Sequence, residues 1–364
     1  MERSQLPSTV APGWRPRDEA WLQRAPSPFE GEPARPLFIG ACPRSGTTLL
    51  RVMLDSHPDL AIPHETNFIR QLWWQRRRFG DLRDPANRLR VARWIFTTKD
   101  TRGSRLRDGR ISRRDAIRRV ADAPPTIGSI VQACLRLYAD VNGKPRWGDK
   151  RPAYSGFIGT LFTMFPNGQY INVVRDPRGA VASQIPMGWD PPEAAMTGAV
   201  ARWEAAVLRT DDFAARLRPD QLMDLRYEDL VSDPRAVLER VCGFAGLRAG
   251  HAVDAMLSKP RGELRGAHRR VAQPITTTSV ERWRERLEPR EVALVEQATT
   301  PLLDRFGYVP AGDLRAAVAP RDARELERRR REARRAWRRS QRGELLRRAL
   351  YRRPVAAVAG RQRS

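Results

Sequence analysis

The stretch PLFIGACPRSGTTLLRVMLDSHPDL, residues 36–60, decides the fold. An unbroken apolar run predicts a strand buried on both faces over 36–41. A Pro-Arg-Ser-Gly-Thr-Thr turn follows, and the apolar spacing from Thr47 to about Ser56 predicts a helix. A short strand is expected at Leu60–Ile62. Strand, tight loop and helix in that order are the layout of a phosphate-binding loop, which normally reads GxxxxGK[ST]. Here Gly40 and Gly46 stand one residue too far apart, and Thr47 occupies the lysine position. The backbone N–H groups of Gly46, Thr47 and Thr48, at the start of a helix, still suit an anion. The hydroxyls of Ser45, Thr47 and Thr48 add donors, and Arg44 adds charge. A plain helix cap would use one of these hydroxyls and leave the rest of the turn unexplained.

The remaining chain alternates strands and helices. TIGSIVQACLRLYADVNG reads as a helix stopped by Asn-Gly. GQYINVV reads as a second buried strand, closed by Arg175-Asp176-Pro177, with a helix from Gly179 to Gln184 after it. AAMTGAVARWEAAVLRTDDFAARL reads as a long helix, QLMDLRYEDL as a third strand, and DPRAVLERVCGFAGL as a helix opened by Asp-Pro. This alternation predicts an α/β fold, P-loop-like and three-layered, its parallel sheet covered by helices on both faces. The expected divisions are an N-terminal extension over 1–34, one domain over 35–311, and a basic tail, helical or disordered, over 312–364. Within the domain, 66–122 reads as a variable helical insertion with a solvated basic face.

The 364 residues carry a net charge of +25, almost all from arginine, and only four lysines: Lys99, Lys144, Lys150 and Lys259. From Pro320 to Ser364 stand 17 arginines against 5 acidic residues, net +12, so half the excess lies in the tail. Such a run reads first as a solvated helix. Trp337 and the leucines among the arginines also suit an anionic membrane surface, and nucleic acid comes last. Three scattered cysteines, no CxxC pair and four histidines give no metal spacing. With no apolar leader, the expected location is cytoplasmic, with the tail able to hold the protein peripherally at a membrane.

The loop and two later motifs together resemble the sulfotransferases that use 3′-phosphoadenosine 5′-phosphosulfate (PAPS). PRSGTTLLRVMLDSHPDL is similar to their 5′-phosphosulfate loop, YINVVRDPRGAVAS to their 3′-phosphate motif, and RYEDLVSDP to their third landmark. The tyrosylprotein sulfotransferases and related bacterial enzymes are the nearest in pattern. The resemblance implies a PAPS donor, 3′-phosphoadenosine 5′-phosphate (PAP) as product, and no metal. It implies Arg44, Ser45, Gly46, Thr47 and Thr48 at the 5′ end, Arg175 and Ser183 at the 3′-phosphate, Tyr227 on the nucleotide, and Arg282 as a late basic contact. Arg175, at the carboxyl end of a buried strand, also stands where open α/β sheets bind ligands.

Glu65, in IPHETNFI, matches the catalytic glutamate of the tyrosylprotein enzymes, and His64 is the rival base. Lys150, in RWGDKRP, is the third catalytic candidate beside Glu65 and Arg44. In a chain that nearly always uses arginine, a lysine there suggests a site for a compact point charge. Asp149 beside it reads as a cap or pairing residue. The second arginine those enzymes carry past the serine is missing near Met187, and their late hydroxyl has no secure counterpart. The expected reaction moves a sulfuryl group to a hydroxyl on a small molecule, lipid, glycan or tyrosine. A nucleotide-dependent kinase and a basic nucleic-acid-binding protein are the alternatives. Acceptor choice is expected from 66–122, from the loop near Met187 and from 262–278. The oligomeric state is left open, and the tail is expected to be dispensable for chemistry.

Overall fold

A computed structural model describes residues 35–258, 273–311, 319–332 and 335. The expected N-terminal extension, most of 262–278 and most of the basic tail lie outside the described residues. Five strands form one wholly parallel sheet: β1 (Leu37–Ala41), β2 (Leu60–Ala61), β3 (Arg146–Lys150), β4 (Gln169–Val174) and β5 (Leu222–Arg226). Their spatial order is β2-β3-β1-β4-β5, so β1 is central. Its register pairs Ile39 with Lys150 on one side and Ile171 on the other.

The helices are α1 (Thr47–Asp55), α2 (Phe68–Gln75), α3 (Pro85–Thr97), α4 (Arg113–Ala121), α5 (Ile127–Val141) and α6 (Ile158–Met164). After β4 come α7 (Pro177–Gln184), α8 (Ala195–Ala214), α9 (Tyr227–Ser232), α10 (Pro234–Ala245), α11 (His251–Ser258) and α12 (Pro289–Arg305). Side chains of a strand alternate between faces. Leu37, Ile39, Ile171, Val173 and Leu225 therefore meet Leu50 and Met53 of α1 and Leu238 and Val241 of α10. On the other face Phe38, Trp147 and Tyr170 meet Ile69, Ile95, Val120, Leu135 and Leu161. A third cluster, with Val174, Ala180, Trp203 and Leu303, closes the β4 end with α7, α8 and α12.

Three expectations change and one strand is added. RWGDK, assigned to no element from the sequence, is a sheet strand whose Trp147 to Lys150 are all buried. Tyr227 is the first residue of α9, not part of a strand. Residues 66–122 are helical with an arginine-rich exposed side, but they are not a peripheral insertion. Phe68, Leu72, Val91, Ile95, Leu106 and Val120 from this segment build one of the two main core faces. Finally, residues 320–332 are helical and packed: Leu326 is only 4% exposed, against Val181, Ala199 and Leu294. Packing onto the domain thus continues past residue 311.

Candidate active site

Parallel strands bring all their carboxyl ends to one edge, where open α/β sheets bind ligands. The turn after β1 carries Arg44 to Thr48, β2 leads to Glu65, β3 ends on Lys150, β4 is followed by Arg175, and β5 by Tyr227. A cleft of about 490 Å³ opens there. Its lining includes Arg44, Gly46, Thr47, Thr48, Glu65, Lys150, Arg175, Ser183, Tyr227 and Arg282. Ser45 is the exception among the expected residues. It is fully buried, its Oγ has no partner among the described residues, and it does not line the cleft.

One end of the cleft gathers cations around the turn. Arg44 has φ 71°, a left-handed backbone that costs a non-glycine residue about 1–2 kcal/mol. Arg175 offsets this by donating from Nη1 to the Arg44 carbonyl at 3.0 Å. The Arg44 side chain swings to Ser183, with Nε donating to Oγ at 3.2 Å. Burial, and then the neighbouring Arg175, hold the Arg44 guanidinium below its usual pKa. Gly46 has φ 89°, and a Cβ there would overlap the Tyr227 ring. Glycine is thus required both by the turn and by the aromatic packed on it. Arg175 in turn stacks over Tyr227, 4.8 Å from the ring centre.

Ser279 completes this end, and sequence reasoning did not single it out. Its carbonyl accepts from Arg175 Nη2 at 2.8 Å, and its hydroxyl meets the Tyr227 hydroxyl at 2.6 Å. Two guanidinium nitrogens, Arg175 Nε and Arg282 Nη1, are buried without a partner among the described residues. Buried donors left unsatisfied carry a desolvation cost that an anion's oxygens would remove. This donor set therefore fits an anionic group with several acceptor oxygens.

The other end is built from Glu65, Lys150 and Thr48. Lys150 Nζ lies 2.9 Å from Glu65 Oε2 and 3.3 Å from Thr48 Oγ1. The Lys150 side chain is 3% exposed and that of Glu65 26%. Burial pulls the Lys150 ammonium below its usual pKa, and Glu65 partly restores it. Burial alone would raise the Glu65 carboxyl, but Lys150, then Arg151 and Arg102, hold it below the usual carboxylate range. The segment carrying Glu65 is anchored from below. Asp55, at the end of α1, accepts the Ile62 N–H at 2.8 Å, and Arg51 Nη1 donates to the Ile62 carbonyl at 3.1 Å. Arg105 donates to the Glu65 carbonyl, and Arg151 Nη1 to that of Thr66 at 2.7 Å.

His64 sits beside this pair but is exposed, and it does not line the cleft. Partial burial of the ring, then Arg51, Arg105 and Lys150, push its imidazole down to about 4. Asp149 faces the opposite side of the sheet. It is fully buried, accepts from the Tyr154 hydroxyl, and burial pushes its carboxyl up to about 6.

The Sulfotransferase family profile matches residues 36–250 of this chain, the span carrying Arg44, Glu65, Lys150, Arg175, Ser183 and Tyr227, while Ser279 and Arg282 lie beyond it. The chain belongs to the sulfotransferase family. That membership carries sulfuryl transfer as its reaction class and disfavours the kinase and nucleic-acid alternatives. This sulfotransferase is 26% identical to the protein-tyrosine sulfotransferase of Drosophila melanogaster over 288 residues, 75% of this chain and 52% of that enzyme. It is 26% identical to protein-tyrosine sulfotransferase 1 of Danio rerio over 305 residues, 79% and 76% of the two chains. It thus spans about half the length of the fly relative. The sulfotransferase domain of the Synechococcus olefin synthase superposes with a TM-score of 0.56 at 24% identity, covering 78% of this chain and 98% of that domain. This likeness agrees with the P-loop-like α/β fold.

The relatives correct one expectation. A cytoplasmic location does not stand, because the matched protein-tyrosine sulfotransferases point away from it. Cysteine spacing and the leader pattern are weak guides because a catalytic domain keeps its fold and motifs in whichever compartment it works. Among the described residues no helix is long and apolar enough to cross a membrane.

Proposed function

We propose that this sulfotransferase uses PAPS as donor and transfers its sulfuryl group to an acceptor hydroxyl, with Glu65 as base. One observation carries the reading: a single cleft holds a Lys150–Glu65 pair beside the β1 turn at one end and the Arg44–Arg175–Ser183 cluster at the other. PAPS carries about four negative charges, counting its monoester phosphate as about −2, so both ends need cationic or N–H donors. Arg175, Ser183 and Arg282 hold the 3′-phosphate. Arg44, bonded to Ser183, joins them and supplies the cation missing near Met187. The N–H groups of Gly46, Thr47 and Thr48 hold the 5′ end, and Tyr227 packs on the nucleotide side of the turn. Ser45 contributes its backbone only.

Bound PAPS supplies an activated sulfuryl group on a phosphate leaving group. Glu65 is ionised at neutral pH and takes the acceptor's proton on Oε2. Lys150 Nζ, already between Glu65 and the turn, offsets the negative charge that builds on the leaving phosphate oxygen. Positioning and electrostatics dominate such a transfer, as in phosphoryl transfer. A small molecule, glycan, lipid or protein tyrosine would each present the hydroxyl required.

The donor reading is tested by thermal stabilisation. PAP at a hundred times its dissociation constant adds about 2.7 kcal/mol, a clear upward shift without added metal. ATP with Mg²⁺ gives a smaller shift. Greater stabilisation by ATP with Mg²⁺ would favour a kinase. Arg175→Ala is expected to weaken the PAP response.

A further inference from the structure

We propose that helix 320–332 is a clasp that fixes the cleft wall beside Ser183, making it a positioning element for the 3′-phosphate end of the donor. None of its residues lines the cleft. Its attachment is nevertheless specific. Arg330 grips Glu204 of α8 with Nε at 2.9 Å and Nη2 at 2.6 Å, and Nη2 also donates to the Ala298 carbonyl of α12 at 2.9 Å. Leu326 is buried between these helices. A merely solvated basic helix would need neither contact.

From there two routes reach the cleft. The polar route starts at Arg329, 3.6 Å from Asp190. Asp190 is seated over Gly198, where a Cβ would press on its carboxylate, and it accepts from Arg202 at 2.6 Å. Arg202 Nε donates to Gln184 Oε1 at 2.9 Å, and Gln184 directly follows Ser183. The apolar route runs from Leu326 to Ile185 and Met196, which also pack against the cluster containing Trp283. Met187, Trp189 and Trp283 all line the cleft. Both routes converge on the carboxyl end of α7, where Ser183 meets Arg44. Releasing the helix frees this wall and leaves the β1 turn, held by β1 and α1, in place.

The inference rests on the PAPS reading, and its test separates the two. PAP and 5′-AMP, which lacks the 3′-phosphate, are titrated calorimetrically into the full chain and its variants. In Arg329→Ala, Leu326→Ala and Arg330→Glu, PAP affinity is expected to fall roughly 2- to 30-fold. AMP affinity is expected to hold. Combining Arg330→Glu with Glu204→Arg should recover PAP affinity, and hydrogen exchange at 184–190 should rise only in the uncompensated variants. If the unaltered chain binds PAP no better than AMP, the PAPS reading falls and this proposal with it. If it prefers PAP but the variants keep that preference, or lose both ligands alike, the clasp is refuted alone.

Discussion

Glu65 and Lys150 shape each other's chemistry before any ligand enters. Burial favours the neutral form of both, and their 2.9 Å contact keeps the carboxylate ionised against it. Glu65→Gln should lower kcat by about 10²–10⁴ while PAP affinity changes little, measured by steady-state kinetics and calorimetry. Lys150→Met should move Glu65 the other way: with the ammonium gone, burial dominates and the carboxyl pKa rises. In the intact protein the depressed Glu65 pKa adds stability above the ordinary glutamate value. That stability is lost as pH falls through the folded value. A carboxyl NMR titration should show the midpoint moving to higher pH in Lys150→Met, and a downward move would contradict the pairing. Lys150→Arg should fail nearly as badly as Lys150→Met, because a planar guanidinium does not fit a point-charge site. His64, exposed and uncharged at neutral pH, should be replaceable by alanine with little loss. Loss of turnover in His64→Ala with an active Glu65→Gln would place the base one residue earlier.

Elements differ in how plainly the sequence announces them. β1, α1, β4 and α8 were legible because strands buried on both faces and long amphipathic helices leave unmistakable apolar patterns. The three motifs likewise pointed to Arg44, Arg175, Ser183 and Tyr227, and the stretches IPHETNFI and RWGDKRP to Glu65 and Lys150; all six line one cleft. β3 was not legible. Its Gly148, Asp149 and Lys150 are buried without being apolar, since Asp149 is bonded to Tyr154 and Lys150 to Glu65. Glu65 comes from a different part of the chain and Tyr154 from the turn just after the strand, and no periodicity encodes either contact. Ser279 was missed similarly, because its role comes from contact with Tyr227 and Arg175 across the sheet edge. The start of α9 shows how a strand end becomes a site: one residue past β5, Tyr227 turns onto Gly46. Gly46→Ala should therefore lower both the melting temperature and PAP affinity, whereas retained PAP binding would detach Tyr227 from the turn. Within the sheet, the Tyr170 hydroxyl is buried without a partner among the described residues. Tyr170→Phe removes that unsatisfied group and should stabilise the fold by about 1 kcal/mol or leave it unchanged. A marked drop in denaturant midpoint would reveal a hidden hydrogen bond.

At the scale of the whole molecule, the sheet's carboxyl edge organises the site. Core faces above and below hold five strand ends within reach of one cleft, and α7, α8 and α12 close its side. The described part of the tail joins this closure through a single leucine and two arginines, a signal too sparse to separate from the charge run around it. The net charge thus overstated the solvated surface: Arg330 and Arg178 are structural, the latter held by Asp176 and Glu296 at 2.6 and 2.5 Å. Sulfuryl transfer from PAPS remains the claim on which the roles of Arg175, Lys150 and Glu65 all depend. Its most direct test is a metal-free incubation with PAPS across phenols, carbohydrates, lipids and tyrosine peptides, read by mass spectrometry. The account predicts PAP together with an acceptor heavier by one SO₃, both lost in Lys150→Met. An acceptor modified only when ATP and Mg²⁺ are supplied, and heavier by a phosphoryl group, would contradict it.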